Sequence, residues 1–222
     1  MPTMPAILRA DSRGRAVDHL RRYFGLAGGP AFTGSRFETI GGGGSSPDVA
    51  NDITAMDIVS LSMLSISVPG AAAQRLLEDA DFIETTRGYL AELPIDTDLI
   101  DYDRHHLTAG PAASLWGHLR QLRGFGPTTT SKLMARKRPR LIPVYDSVIE
   151  RAFDFESSSG QWEYWHDLLS SDERRLHIDM EGLREEAGLT KEISAIRVLD
   201  VVVWMEQSRP SDDTSESSSV EI

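Results

Sequence analysis

The stretch that decides the fold is LRQLRGFGPTTTSKLMARKRPRLIPVYDSVIERAF, residues 119–153. Gly124 and Gly126 enclose Phe125, and this spacing predicts a tight turn that needs permissive backbone residues. Pro127 fits the first position of a new helix, where its missing N–H leaves no hydrogen bond unmade. The stretch therefore predicts two helices joined by a glycine turn, with Asp146 at the start of a further helix.

The turn is also a candidate phosphate site, because N–H groups at a helix N-terminus attract anions. A basic run at residues 136–140, RKRPR, follows the second helix and is suited to phosphate contacts that position a nucleic acid. The alternatives are an ordinary turn between antiparallel helices and a solvated basic run at a helix C-terminus. The basic residues and the later carboxylate together favour the functional interpretation of the turn.

Asp146 has two interpretations that the sequence does not separate. Ser147 and Glu150 have the spacing of a capping box, so Asp146 is in one interpretation only part of a helix N-terminus. In the other it is a carboxylate beside a phosphate site, able to orient water and to stabilise a cationic, sugar-like transition state.

The composition predicts a cytoplasmic protein. Among the 222 residues there is no cysteine, which excludes disulfides, iron–sulfur clusters and thiolate zinc sites. The sequence has no secretory signal pattern, and its longest apolar run is too short to cross a bilayer. The net charge is −11, yet residues 118–151 hold eight basic and two acidic residues, a net +6. A basic face on an acidic body is compatible with phosphate binding.

The fold class predicted from periodicity is all-α, with about nine or ten short helices, since no segment requires a sheet. Residues 1–52 are predicted to form an N-terminal helix and a glycine-rich loop, with GGGGSS at 41–46 as a flexible linker or surface loop. Residues 53–207 form the main helical domain, and 208–222 an acidic, disordered tail. Apolar spacing predicts helices at 15–24, 55–66, 82–93, 97–107, 112–122, 127–137, 147–155, 161–170 and 172–187, one opened by Pro69 and a last one capped by Thr190.

Two aromatic groups are candidates for stacking on a base. One consists of Trp162, Tyr164 and Trp165, and the other of Tyr23 and Phe24. Their helical spacing favours core packing. The adjacent His105 and His106 diverge in a helix and have no third ligand at metal spacing, so no metal site is predicted there.

Residues 119–153 resemble the helix-hairpin-helix DNA glycosylase superfamily. The L-x-G-x-G hairpin of that superfamily corresponds to Leu122–Gly126, its second helix to Pro127–Lys137, and its V-D motif to Pro143–Val148. The resemblance extends loosely over residues 53–205 and implies a two-lobed helical domain with a helix-hairpin-helix motif. The whole chain also resembles an uncharacterised bacterial domain family with the same G-F-G-P, R-P and L-I-P-V-Y-D segments.

The resemblance implies that Asp146 is catalytic and that DNA is the partner, bound through its phosphate backbone and a flipped base. It departs from the superfamily at Tyr145, which separates Val144 from Asp146, and at Thr128, where bifunctional members carry a Schiff-base lysine. The resemblance therefore implies a monofunctional enzyme. Lys132 is a poor substitute for the Schiff-base lysine of the bifunctional members. No cofactor is required, although hairpin carbonyls would hold a monovalent cation. The implied DNA-binding residues are Arg123, Gly124, Phe125, Gly126, Thr128, Thr129, Lys132, Arg136, Lys137, Arg138 and Arg140.

The leading hypothesis is thus a glycosylase that hydrolyses the N-glycosidic bond of a damaged or modified base. A second hypothesis is a non-catalytic nucleic-acid binder, in which Asp146 is only a cap and Arg136, Lys137, Arg138 and Arg140 set the affinity. A third is a protein-interaction module whose acidic body and acidic tail meet a basic partner.

Overall fold

The computed structural model describes residues 4–208, and within that range the chain is all-helical, with no β-strand. Short 3-10 segments accompany ten α-helices. The helices are α1 (Arg13–Tyr23), α2 (Ala55–Met63), α3 (Gly70–Glu78), α4 (Ala80–Ala91), α5 (Arg104–Ala109), α6 (Pro111–Leu119), α7 (Pro127–Lys137), α8 (Ser147–Phe153), α9 (Gln161–Ala187) and α10 (Ala195–Gln207). The predicted fold class is therefore confirmed.

Local capping explains where the predicted boundaries succeed and where they fail. Helix α7 has the predicted bounds, because Gly126 and Pro127 define its start. The helix predicted at 97–107 is wrong as one element, since the Asp103 side chain accepts a hydrogen bond from the His106 N–H at 2.7 Å and starts α5 anew. The last helix is capped by Ser194 rather than by Thr190.

Helix α7 is the central element of the structure. From Thr129 to Arg138 every side chain is buried.

Helices α1 and α10, from opposite ends of the described chain, pack against each other and against α9. Buried apolar residues from Ile7 to Met205 form one continuous core. The N-terminal segment is thus integrated with the main helical body.

The glycine-rich segment at 41–46, predicted as a flexible linker or surface loop, is exposed at Gly41 and Gly42 but buried against the centre of the molecule at Gly44. A Cβ atom added at Gly44 would lie 2.7 Å from Arg136 Nε, from the Arg136 carbonyl oxygen and from Asp57 Oδ1. Glycine is required there because the loop backbone approaches a buried ion pair directly.

The predicted disordered tail lies, apart from Ser208, outside the described residues. Within residues 4–208, no helix combines the length and the apolar character needed to span a membrane.

Candidate active site

The glycine turn, residues 120–126, connects α6 to α7. Gly124 has a φ of +88°, in the left-handed region that favours glycine, whereas Gly126 has a φ of −74° and serves as the N-cap of α7. Only the first of the two glycines therefore has a backbone conformation that excludes other residues. The Arg120 guanidinium donates a hydrogen bond to the Phe125 carbonyl oxygen at 2.6 Å and braces the turn.

We expect Gly124→Ala to destabilise the protein by about 1–3 kcal/mol, because it adds left-handed strain and a steric clash. Its Cβ would lie 2.6 Å from Pro69 Cγ, at the start of α3. Gly117→Ala is the matched control, since Gly117 is exposed in α6 and has open space around its Cα. This control should stabilise the helix by up to about 1 kcal/mol. Urea unfolding of both variants measures the difference, and equal midpoints would contradict a special role for Gly124.

The basic residues after the turn point into the protein, which corrects their prediction as phosphate contacts. Arg136, Lys137 and Arg138 are each at most 1% exposed. Arg136 and Lys137 both pair with the buried Asp57 carboxylate. Arg138 donates its hydrogen bonds to the Asn51 side chain and to backbone carbonyls. The reason is that α7 is enclosed by chain segments whose carbonyls need donors. Charge reversal at Arg136, Lys137 or Arg138 would therefore destabilise the buried core of the protein and would not test a phosphate-binding surface.

The other residues predicted to bind DNA fall into two groups. Phe125 is 2% exposed and Thr129 is 8% exposed, so both belong to the interior. Arg140 forms a half-buried ion pair with Asp98, in which Nη2 lies 2.6 Å from Oδ2. Arg123 and Gly124 are exposed, and Gly126 and Thr128 are half-buried. The part of the predicted interface that stays accessible is therefore the glycine turn and the first turn of α7.

Asp146 is the N-cap of α8. Its Oδ1 atom accepts hydrogen bonds from the N–H groups of Val148 at 3.0 Å and Ile149 at 3.1 Å. The predicted capping box of Ser147 and Glu150 is wrong, because Glu150 instead accepts a hydrogen bond from the Tyr145 hydroxyl at 2.6 Å. The second carboxylate oxygen, Oδ2, lies 3.3 Å from Lys132 Nζ. One oxygen thus fixes the orientation of the carboxylate, and the other carries an ion pair.

The Lys132–Asp146 pair lines a cavity of about 460 Å³, which we call the Asp146 cavity. This volume lies in the usual range for pockets that hold small organic molecules. The Lys132 ammonium also donates to the Leu64 carbonyl oxygen at 3.2 Å, which holds it at the wall. Thr128, in the first turn of α7, reaches the same cavity and connects it to the glycine turn.

Three aromatic side chains form one corner of the Asp146 cavity. The rings of Tyr23 and Phe32 are stacked, with centroids 5.5 Å apart and planes 8° apart. The Trp204 ring meets both of them nearly edge-on, with centroids 6.1 Å from Tyr23 and 5.9 Å from Phe32. Tyr23 is 4% exposed, so a ring-shaped ligand would meet mainly the faces and edges of the partly exposed Phe32 and Trp204. By contrast, Trp162 and Trp165 are core residues, in accord with the packing interpretation of their spacing.

A buried charge cluster completes the cavity. Arg197 binds the Asp200 carboxylate, donates to the Tyr23 hydroxyl at 3.0 Å, and has its Nε 2.7 Å from Glu38 Oε1. Arg197 and Asp200 line the cavity, whereas Glu38 lies behind Arg197. Sequence reasoning missed Glu38, Arg197 and Asp200. The available signal was the pair of charges spaced i,i+3 in the otherwise apolar run 195–205 of α10.

The glycine turn does not fit the monovalent cation that the resemblance implies. The carbonyl oxygen of Phe125, at the centre of the turn, already accepts the Arg120 guanidinium. A metal cation at this carbonyl would lie beside the positive charge of that guanidinium, which disfavours it.

Comparison with curated proteins and with solved structures finds no match. One family model matches residues 16–207, which spans both the glycine turn and every element around the Asp146 cavity. The chain therefore belongs to the family described as a family of unknown function (DUF6308).

Proposed function

We propose that this protein is a DNA glycosylase-like hydrolase of the monofunctional kind. In this proposal α6, the glycine turn and α7 form a helix-hairpin-helix motif, and the Asp146 cavity lies between two helical lobes. The single observation that carries the proposal is the position of Asp146 in the wall of a cavity that also has an aromatic corner. A carboxylate and stacking surfaces in one pocket are what hydrolysis of a base–sugar bond requires.

The proposed role of Asp146 follows from its fixed orientation. With Oδ1 held by two N–H groups of α8, the carboxylate cannot rotate freely as the reaction proceeds. It is therefore preorganised to accept a proton from water and to face the positive charge that develops on the sugar. Lys132 positions Oδ2 through their ion pair. Because that ammonium is engaged with two acceptors, we assign it a positioning role and not that of a nucleophile.

The proposed contact with DNA is limited to the accessible part of the glycine turn. Arg123 is exposed, and the N–H groups of Thr128 and Thr129 begin α7, where no preceding turn of helix supplies carbonyl partners. With Arg136, Lys137 and Arg138 buried, few cations neutralise phosphates. We therefore expect modest affinity for DNA and a shallow dependence on salt concentration.

The test is base release from duplex and single-stranded oligonucleotides that carry damaged or modified bases, read as alkali-labile cleavage. We expect wild type to cut at least one substrate and Asp146→Asn to lose about 10²–10⁴-fold in rate. Asparagine still caps a helix, so the protein should stay folded, with a lower thermal midpoint because the buried Lys132 loses its counter-charge.

The matched control is Asp79→Asn, since Asp79 is also an N-cap aspartate, accepting from the Phe82 N–H at 3.2 Å in α4. It lies outside the Asp146 cavity and should keep full activity. Retained activity in Asp146→Asn would reject Asp146 as the catalytic group. If wild type cleaves no substrate, and wild type and Asp146→Asn bind DNA equally, the hypothesis of a non-catalytic nucleic-acid binder is favoured.

A further inference from the structure

The Asp146 cavity contains a second carboxyl group, that of Asp200. Its side chain is 9% exposed and lines the cavity from α10. Only one of its oxygens, Oδ2, meets Arg197. The other oxygen has no protein hydrogen bond among the described residues, and the residue lines the cavity. Asp200 thus presents a polar atom to whatever occupies the cavity.

The charges around Asp200 do not balance. The guanidinium of Arg197 faces two buried carboxyl groups, Asp200 and Glu38, whose side chains are 9% and 7% exposed. The remaining ionic groups that line the cavity, Lys132 and Asp146, neutralise each other, and the Tyr23 phenol is neutral. Arg197, Asp200 and Glu38 together therefore carry one excess negative charge when both carboxyl groups are ionised, and the positive charge of Arg136 acts on Glu38 from the neighbouring Asp57 cluster. A proton on one of them removes the excess.

The pKa directions agree with this charge count. Burial raises the pKa of Asp200 to about 6 against the opposing effect of Arg197, and the charge of Asp146, which raises this pKa, is countered by that of Lys132. Burial also raises the pKa of Glu38. Since Asp200 reaches the cavity and Glu38 does not, the proton that a ligand would meet is on Asp200.

We propose that Asp200 is the hydrogen-bond and proton donor of the cavity, directed at a ring-nitrogen acceptor of a neutral, purine-like base. The aromatic corner of Tyr23, Phe32 and Trp204 supplies the stacking surface for such a ring. A protonated carboxylic acid in a buried site is an effective donor to an acceptor nitrogen. The cavity therefore selects neutral bases that have such a nitrogen.

The proton-transfer part of this inference rests on the proposed function. In that reaction the bond from the sugar C1′ to the base nitrogen breaks, and its electron pair leaves with the base. The proton of Asp200 moves to the base ring nitrogen, water forms the new bond to C1′, and the proton of that water passes to Asp146. Solvent then returns a proton to Asp200 and removes one from Asp146. The net change is hydrolysis.

The experiment is calorimetric binding of free adenine to the full chain at pH 5 and pH 8, which requires no catalysis. We expect wild type to bind adenine about tenfold or more tightly at pH 5, because protonated Asp200 is the binding form. Deaza analogues of adenine, in which a carbon replaces one ring nitrogen, serve as ligand controls. Loss of affinity for one of these analogues identifies the acceptor nitrogen.

Two variants locate the proton. Asp200→Asn keeps a neutral donor and should bind adenine equally at both pH values. Glu38→Gln should keep a pH dependence, shifted to lower pH because Arg197 then faces only one charged carboxyl group. Loss of the pH dependence in Glu38→Gln but not in Asp200→Asn would overturn the assignment, as would pH-independent binding or no binding by wild type. Thermal unfolding verifies that each variant is folded. A wild type that binds adenine as expected but releases no base would reject the proposed enzyme and leave Asp200 as a recognition group.

Discussion

Asp57→Asn is expected to destabilise the protein by about 3–5 kcal/mol, because it leaves two buried cations without a counter-charge. Asp57 is 1% exposed, with Oδ1 at 3.1 Å from Arg136 Nε and Oδ2 at 3.0 Å from Lys137 Nζ. Asparagine has nearly the same shape as aspartate, so the loss of stability comes from the missing charge and not from a change in packing. The free energy of unfolding in urea measures it.

The pH dependence of this loss identifies its cause. Burial lowers the pKa of Lys137, and the attraction of Asp57 opposes that fall. Without Asp57 the pKa of Lys137 falls further in the folded state, so the unfolded state binds more protons and stability rises with pH. The deficit of Asp57→Asn should therefore shrink between pH 6 and pH 9. A deficit that is constant over this range would contradict the electrostatic explanation.

Two controls separate the ion pair from other roles of Asp57. Asp52→Asn removes an exposed partner of Arg87 and should cost less than about 1 kcal/mol. Thr54→Ala removes the hydroxyl half of the capping box that Asp57 shares with Thr54, and should cost about 1 kcal/mol. A loss in Asp57→Asn no larger than in these controls would mean that the buried cations find other partners.

Arg138→Met is expected to have the second largest effect, also about 3–5 kcal/mol. The Arg138 guanidinium uses all five of its N–H groups, to the carbonyls of Ala50, Leu90, Leu93 and Lys137 and to the Asn51 side chain. Leu90 lies in the last turn of α4, where its carbonyl oxygen also accepts the Leu93 N–H at 3.0 Å, and Leu93 lies just after the helix, where carbonyls lack helical donors. Methionine fills the space but leaves buried acceptors unpaired, at about 1–3 kcal/mol each.

Arg138→Lys tests whether charge alone is sufficient. A lysine keeps the positive charge but has three donors in place of a planar group with five, so it should recover only part of the stability. Arg151→Met, at an exposed position of α8, is the matched control and should stay within about 0.5 kcal/mol of wild type. Full recovery with lysine would show that the hydrogen-bond geometry of Arg138 is not what stabilises the loop and α4. Burial lowers the pKa of Arg138 to about 10, still well above neutral pH.

The basic run at residues 136–140 was predicted to lie at the surface, but Arg136, Lys137 and Arg138 lie in the interior. A run of lysine and arginine in a nucleic-acid-like motif is expected to be solvated, because isolated charges are rarely buried. Here the cost of burying Arg136, Lys137 and Arg138 is offset by one carboxylate and by loop carbonyls from residues 37–50. The accepting carbonyls, those of Phe37, Ile40 and Val49, flank the glycine-rich segment in a part of the chain that has no α-helix.

Local sequence determined much of the fold. The helical class, the glycine turn and the start of α7 at Pro127 depend on residues within a few positions of one another, and all three are read correctly from periodicity and turn chemistry. The position of Asp146 at the start of α8 is equally local, although its hydrogen bonds differ from the predicted capping box.

Only the tertiary structure decided the direction of the basic side chains and the composition of the Asp146 cavity. The partner of Lys137 is Asp57, far away in the sequence, and the cavity brings Tyr23 of α1 together with Asp200 of α10. Helical periodicity places a side chain on a face but does not specify what that face meets. That choice depends on packing between distant helices, which decides both whether a charge is solvated and which groups share a pocket.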